Sequence, residues 1–148
     1  MTDIIDFIPE HAAMLKRSNN DPDPSSSSMF MGKTDSALIY AQLGKAVTFV
    51  EDGKVLGIGG VVKVWNGVGE VWIRISDEGR KKELSAFKAM KEFLDDCFTH
   101  GYHRIETSIV VGHEAAHRCI LRLGFTPEGM RMYYGPNKEN FVCYARFQ

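Results

Sequence analysis

The sequence predicts a mixed α/β fold of about seven strands and four helices, and three observations carry that prediction. Between Ala46 and Ser76, two Gly-containing turns separate three runs rich in β-branched residues, the mark of consecutive antiparallel strands. Between Gly79 and Thr99, apolar side chains recur every three or four residues, as on an amphipathic helix. Beyond Gly101 the order is strand, helix, strand, strand, and a helix joining strands on one side implies a parallel crossover in an otherwise antiparallel sheet.

Each element has its own signal. Ile4, Ile5, Phe7 and Ile8 predict a first strand, and Pro9 followed by EHAAMLKR predicts a helix that opens on proline, where a missing N–H costs nothing. Asn19 to Ser28, NNDPDPSSSS, disfavours both regular structures and predicts a surface loop. Thr34 to Leu43 begins with a Thr or Asp cap and predicts a second short helix. Ala46–Val50 and Val55–Trp65 flank the turn Glu51-Asp52-Gly53-Lys54, and a turn over Asn66–Gly69 leads into Glu70–Ser76. In that last run Val71, Ile73 and Ile75 alternate with Glu70, Trp72, Arg74 and Ser76. Leu84, Phe87, Met90, Leu94 and Phe98 line the long helix, which Gly101 ends. Arg104–Val111, Gly129–Tyr134 and Phe141–Phe147 read as strands, and His113–Leu123 as a helix stopped by Gly124. Gly57-Ile58-Gly59-Gly60 lies within a strand, so it predicts a bulge or close strand packing rather than a dinucleotide turn.

Composition narrows the class. A chain of 148 residues with 44% hydrophobic residues can bury a core without metal or disulfide, and one domain over residues 1–148 is expected. Eighteen basic against nineteen acidic side chains give a net charge of −1, which removes the electrostatic case for nucleic acid or an anionic membrane as partner. No apolar run reaches the roughly 20 residues of a membrane helix. Cys97, Cys119 and Cys143 are odd in number and widely spaced, and the N-terminus has no basic region before an apolar one, so reduced thiols in a cytoplasm are expected. Motifs for a nucleophile elbow, a P-loop or a C-x-x-C redox pair are missing.

The stretch H-E-A-A-H-R-C-I-L-R-L-G-F (His113 to Phe125) is similar to the N-x-x-A-x-x-x-Y-x-x-x-G-F helix of the GNAT superfamily, the acyl-CoA-dependent N-acyltransferases, keeping Ala116, Gly124 and Phe125. The order of elements resembles the same family, and Gly57–Ser76 looks like the third and fourth strands of its compact phage- or prophage-encoded members. The resemblance covers about Lys45 to Phe147. It implies acetyl-CoA or CoA as co-substrate, a small-molecule or protein amine as acceptor, and pantetheine pairing with a fourth strand splayed from the fifth. On that reading the backbone of Ile73 and Ile75 aligns the thioester, and Arg80, Lys81, Lys82 and Ser85 hold the pyrophosphate. His113 donates to pantetheine, Glu70 is a general base acting through water, and Tyr133 and Tyr134 line the acceptor side.

The family's phosphate turn is R/Q-x-x-G-x-G/A. Here Arg80 matches its Arg, while Lys81, Glu83 and Ser85 stand where small residues are expected. Side chains there obstruct close backbone approach, and Glu83 repels phosphate, so basic side chains must replace amides. Ile120 occupies the position of the tyrosine that protonates the leaving thiolate. These departures keep a second reading open, a catalytically inactive binding or structural protein, acting as a homo-oligomer or in a phage or host complex, in which case it sits in a virion or host cytoplasm.

His113 to His117 also spells H-E-x-x-H, two imidazoles one turn apart with a glutamate to activate zinc-bound water. That motif needs a helix beginning well before its first His. Here Ile109-Val110-Val111-Gly112 runs from a strand into His113, which therefore reads as a helix cap, and no metal site is expected. His11, His100 and His103 show no ligand spacing and read as surface residues.

Overall fold

The computed structural model describes residues 1–15 and 34–148, with backbone alone for residues 34–37. The loop expected over Asn19–Ser28 lies outside the described residues. The elements are β1 (Asp3–Asp6), α1 (Pro9–Met14), α2 (Thr34–Ala41), β2 (Gly44–Glu51), β3 (Lys54–Trp65), β4 (Val68–Ile75), α3 (Asp77–Lys81), α4 (Glu83–Thr99), β5 (Arg104–Val110), α5 (Glu114–Arg122), β6 (Thr126–Arg131) and β7 (Phe141–Phe147). The strands form one mixed sheet in the order β1-β2-β3-β4-β5-β7-β6. Among the described residues, only β4 and β5 pair in parallel. The crossover between them is α3 and α4; α5 instead carries the chain from β5 past β7 to β6.

The β2–β3 hairpin turns on Asp52 and Gly53, both with positive φ (52° and 74°), the two-residue geometry that matches strand twist. The next turn is tighter than expected. It is confined to Asn66 and Gly67, so Val68 and Gly69 already belong to β4. The Gly67 carbonyl accepts from His103 N (2.8 Å) and Arg104 N (3.1 Å), which fixes where β5 starts against β4. In β3 a Cβ on Gly60 would lie 2.4 Å from the Lys45 carbonyl oxygen and 3.0 Å from the Trp72 indole nitrogen, so the glycine run reflects close packing.

Alternation along β4 divides the core. Val71, Ile73 and Ile75 face Phe93, Leu94 and their neighbours on α4, whereas Trp72 is buried on the opposite face with Ala12, Leu15 and Tyr40 of the α1–α2 side. His11 belongs to that inner layer rather than the open surface: its Nδ1 lies 2.7 Å from the hydroxyl of buried Thr48.

Two further elements differ from expectation. The helix expected over 79–99 starts at Asp77 and breaks at Lys82 (φ −102°, ψ 41°), giving five helices among the described residues where about four were expected. Ser76 causes the early start, because its Oγ accepts from Gly79 N (3.1 Å) while donating to the Leu56 carbonyl (3.0 Å). The strand expected over 129–134 is Thr126–Arg131; Gly129 and Tyr133 take positive φ (144° and 54°), which interrupts and then ends the ladder. His113 caps α5 as expected, and Gly124 (φ 91°) closes it.

Candidate active site

β4 and β5 pair at three positions: Val68 with Arg104, Gly69 with Ile105 and Glu70 with Glu106. The ladder then stops while both strands continue, to Ile75 and Val110, so a wedge opens between them. Buried Thr107 marks the apex, its hydroxyl donating to the Val71 carbonyl (3.3 Å). Ser76 N bonds back to Leu56 on β3 (2.9 Å). Backbone groups of alternate residues face the same side of a strand, so those of Trp72, Arg74 and Ser76 face β3, and those of Val71, Ile73 and Ile75 face the wedge. Ile73 and Ile75, chosen from sequence for their backbone groups, border an edge that an extended ligand can pair with.

β4 leads through the Ser76 cap into α3, whose first turn carries Asp77 and Glu78, so Arg80 and Lys81 stand in its last turn rather than at the helix start expected for Arg80. Arg80 is half-buried on α3 and Lys81 is exposed. Lys82 is turned toward the β2–β3 turn, 2.7 Å from Glu51 and 3.2 Å from Asp52. Ser85 joins it there: its hydroxyl donates to Glu51 (2.8 Å) and accepts from Thr2 N (2.9 Å). Hydrogen bonds from Lys82, the Met1 amine and Ser85 hold the Glu51 carboxyl down to about 2. Two of the four residues expected to hold phosphate are therefore also fastening α4 to the β2–β3 turn.

Glu70 sits at the wedge apex, on the face shared with α1 and α2. Burial, then the neighbouring charge of Glu106, pushes its carboxyl up to about 7, against the opposing charge of Arg131. Glu106 is itself paired with Arg104 (2.8 Å), which also binds Glu128. A half-buried carboxyl that titrates near neutrality can accept a proton at physiological pH. Burial, then the charges of Glu70 and Tyr134, push the Tyr40 hydroxyl of α2 up. Tyr133 is 71% exposed, whereas Tyr134 packs edge-on against Phe141 (5.1 Å between centroids).

At α5, His113 is the cap and Ile120 is buried in the core facing α4. His117 is a fixed brace. Its Nε2 donates to the Val110 carbonyl (2.8 Å), which leaves Nδ1 to accept from the Tyr144 hydroxyl (2.6 Å). Both ring nitrogens are thus used inside the protein, and a metal bound there has to displace one of these bonds. Sequence reasoning missed Glu106, Thr107, Tyr144 and Arg131. Glu106 had a signal, a charge inside the apolar-rich run Arg104–Val111, but its partner Glu70 lies on another strand.

A parallel pair that splays beside a short helix with Arg80 and Lys81 in its last turn, and a titratable carboxyl at the apex, fits an acyl-CoA-dependent transferase fold. The model of the acetyltransferase (GNAT) family matches residues 13–125, and the chain belongs to that family. Compared by sequence with curated proteins, it matches none. Solved structures share the fold at low identity. An acetyltransferase of the GNAT family from Streptococcus pneumoniae superposes with TM-score 0.76 at 14% identity, covering 100% of both chains. A ribosomal-protein-alanine N-acetyltransferase from Brucella melitensis gives 0.76 at 11% identity, covering 99% of each. Spermidine N-acetyltransferase from Vibrio cholerae, solved with CoA and spermine, gives 0.77 at 16% identity, covering 99% of this chain and 95% of that one. Among the described residues, no helix is long and apolar enough to cross a membrane.

Proposed function

We propose that the protein transfers an acetyl group from acetyl-CoA to an amine, small-molecule or protein-borne, by direct attack without an acyl-enzyme. The observation that carries this reading is the wedge between β4 and β5, with the Ile73 and Ile75 backbone on its edge and Glu70 at its apex. Glu70 takes a proton from the amine, directly or through one water. The amine nitrogen attacks the thioester carbonyl, the C–S bond breaks, and the released thiolate takes up a proton. The backbone of Ile73 and Ile75 aligns the acyl donor, and His113 donates to its pantetheine arm. Arg80 and Lys81 bind the pyrophosphate, with Lys82 and Ser85 at the margin of that site through their hold on Glu51.

The test is thiol release from acetyl-CoA with a panel of amines, for wild type and Glu70→Gln. Amine-dependent release that Glu70→Gln cuts by two or more orders of magnitude supports the reading. Saturable CoA binding without transfer to any amine refutes the enzyme and leaves the binding-protein reading.

A further inference from the structure

Two arginines flank the apex region, and their surroundings differ. Arg104 is used up between Glu106 and Glu128. Arg131 has no salt bridge among the described residues. Instead its guanidinium lies over the Tyr134 ring, 4.9 Å from the centroid, and Tyr134 is wedged edge-on against buried Phe141. Stacking and a side-chain hydrogen bond to Tyr134 restrict the long side chain, and the remaining N–H groups of its fork can take a planar anion.

Strand register places this fork on the Glu70 face. Glu70 pairs with Glu106, Ser108 with Cys143, Val110 with Phe141, and Phe141 with Arg131, and residues two apart on a strand share a face. One face therefore runs from carboxylates at the apex, past Ser108 and Cys143, to a guanidinium at the mouth. Glu106 and Val110 are four residues apart, about 13 Å along the strand, and the Arg131 side chain spans part of that interval. Its charge is felt at Cys143 and at Glu70, so it leans inward.

We infer that the acceptor is an amino carboxylate: its amine meets Glu70 at the apex, and its carboxylate is held by the Arg131 fork stacked on Tyr134. A cationic group at the mouth is rejected by the same guanidinium, so diamines and polyamines are poor acceptors. This rests on the transferase reading above and adds the acceptor's chemistry to it.

The experiment compares β-alanine, 4-aminobutyrate and 6-aminohexanoate with their carboxamides and with putrescine, at low salt, for wild type, Arg131→Gln and Arg131→Lys. Wild type is expected to prefer one amino carboxylate over its carboxamide by roughly 10- to 100-fold in kcat/KM. Compared above pH 8, where Glu70 is ionised with or without the neighbouring guanidinium, Arg131→Gln abolishes that preference through KM for the carboxylate, and Arg131→Lys restores part of it. Equal use of carboxamide or putrescine by wild type, or a preference that survives Arg131→Gln, overturns the inference. So does failure of every compound in the panel while acetyl-CoA binds. Absence of acetyl-CoA binding, measured alongside, overturns the transferase reading itself.

Discussion

Glu70 and Glu106 face one another across the last rung of the β4–β5 ladder, at the point where the two strands part. Directly opposed like charges are unfavourable on a sheet face. Glu106 is paired with Arg104, whereas burial of Glu70, and after it the facing Glu106 charge, push the Glu70 carboxyl up to about 7. The carboxyl proposed above as the general base is thereby placed to change charge near neutrality.

For catalysis the consequence is a pH limb. kcat/KM is expected to fall as pH drops below about 7, where Glu70 is protonated. Glu70→Gln is expected to lose this limb and about 10²- to 10⁴-fold of rate. A pH–rate series of both proteins checks it, and an unchanged limb in the variant would place the base elsewhere.

For stability the sign is opposite to that of a salt-bridged acid. The folded-state pKa of Glu70 is raised, so the native state binds more protons than the unfolded chain between about 4.5 and 7. Its contribution to stability therefore declines as pH rises through that window. Glu70→Gln removes the decline, and thermal melts at pH 5 and pH 8 should show the variant gaining on wild type at the higher pH.

Arg80 and Lys82 should separate binding from folding. Arg80→Ala is expected to weaken CoA binding roughly 10- to 150-fold, with the loss shrinking as salt rises and little change in Tm. Lys82→Ala strips Glu51 of its nearest cation, so Tm should drop by several degrees. Melts and titrations on both variants give the comparison; equal CoA affinity in Arg80→Ala at low salt would show the phosphate turn to be mislocated.

The His117–Tyr144 pair predicts metal independence. Tyr144→Phe leaves the His117 Nδ1 without its donor and should cost about 1–3 kcal/mol of stability. A chelator should leave both activity and melting unchanged, whereas activity restored by added zinc would contradict the brace.

Legibility in the sequence followed periodicity. α4 announces itself because it buries one face, which forces a three-to-four spacing, and the β2–β3–β4 meander does so through β-branched runs between Gly-containing turns, its strands being buried on both faces of the sheet. β6 is exposed along its whole length, so no buried face fixes its register, and the apolar run MRMYY draws the strand toward Tyr134. The break at Lys82 is hidden because Ser76 caps the helix two residues early, through a bond to β3 that only the folded chain makes. Glu70 stands out beside its turn, as do Ile73 and Ile75 by alternation. The state of the Glu70 carboxyl depends on Glu106 and Arg131, 36 and 61 positions later in the chain, and that dependence is created by the sheet order.

Calorimetric titration of the intact protein with acetyl-CoA and CoA at low salt tests the central claim most directly. A wedge with the Ile73 and Ile75 backbone on its edge and Arg80 beside it predicts saturable, one-to-one binding at micromolar to low-millimolar strength, with a matching rise in Tm. No heat and no thermal shift at millimolar ligand would contradict it.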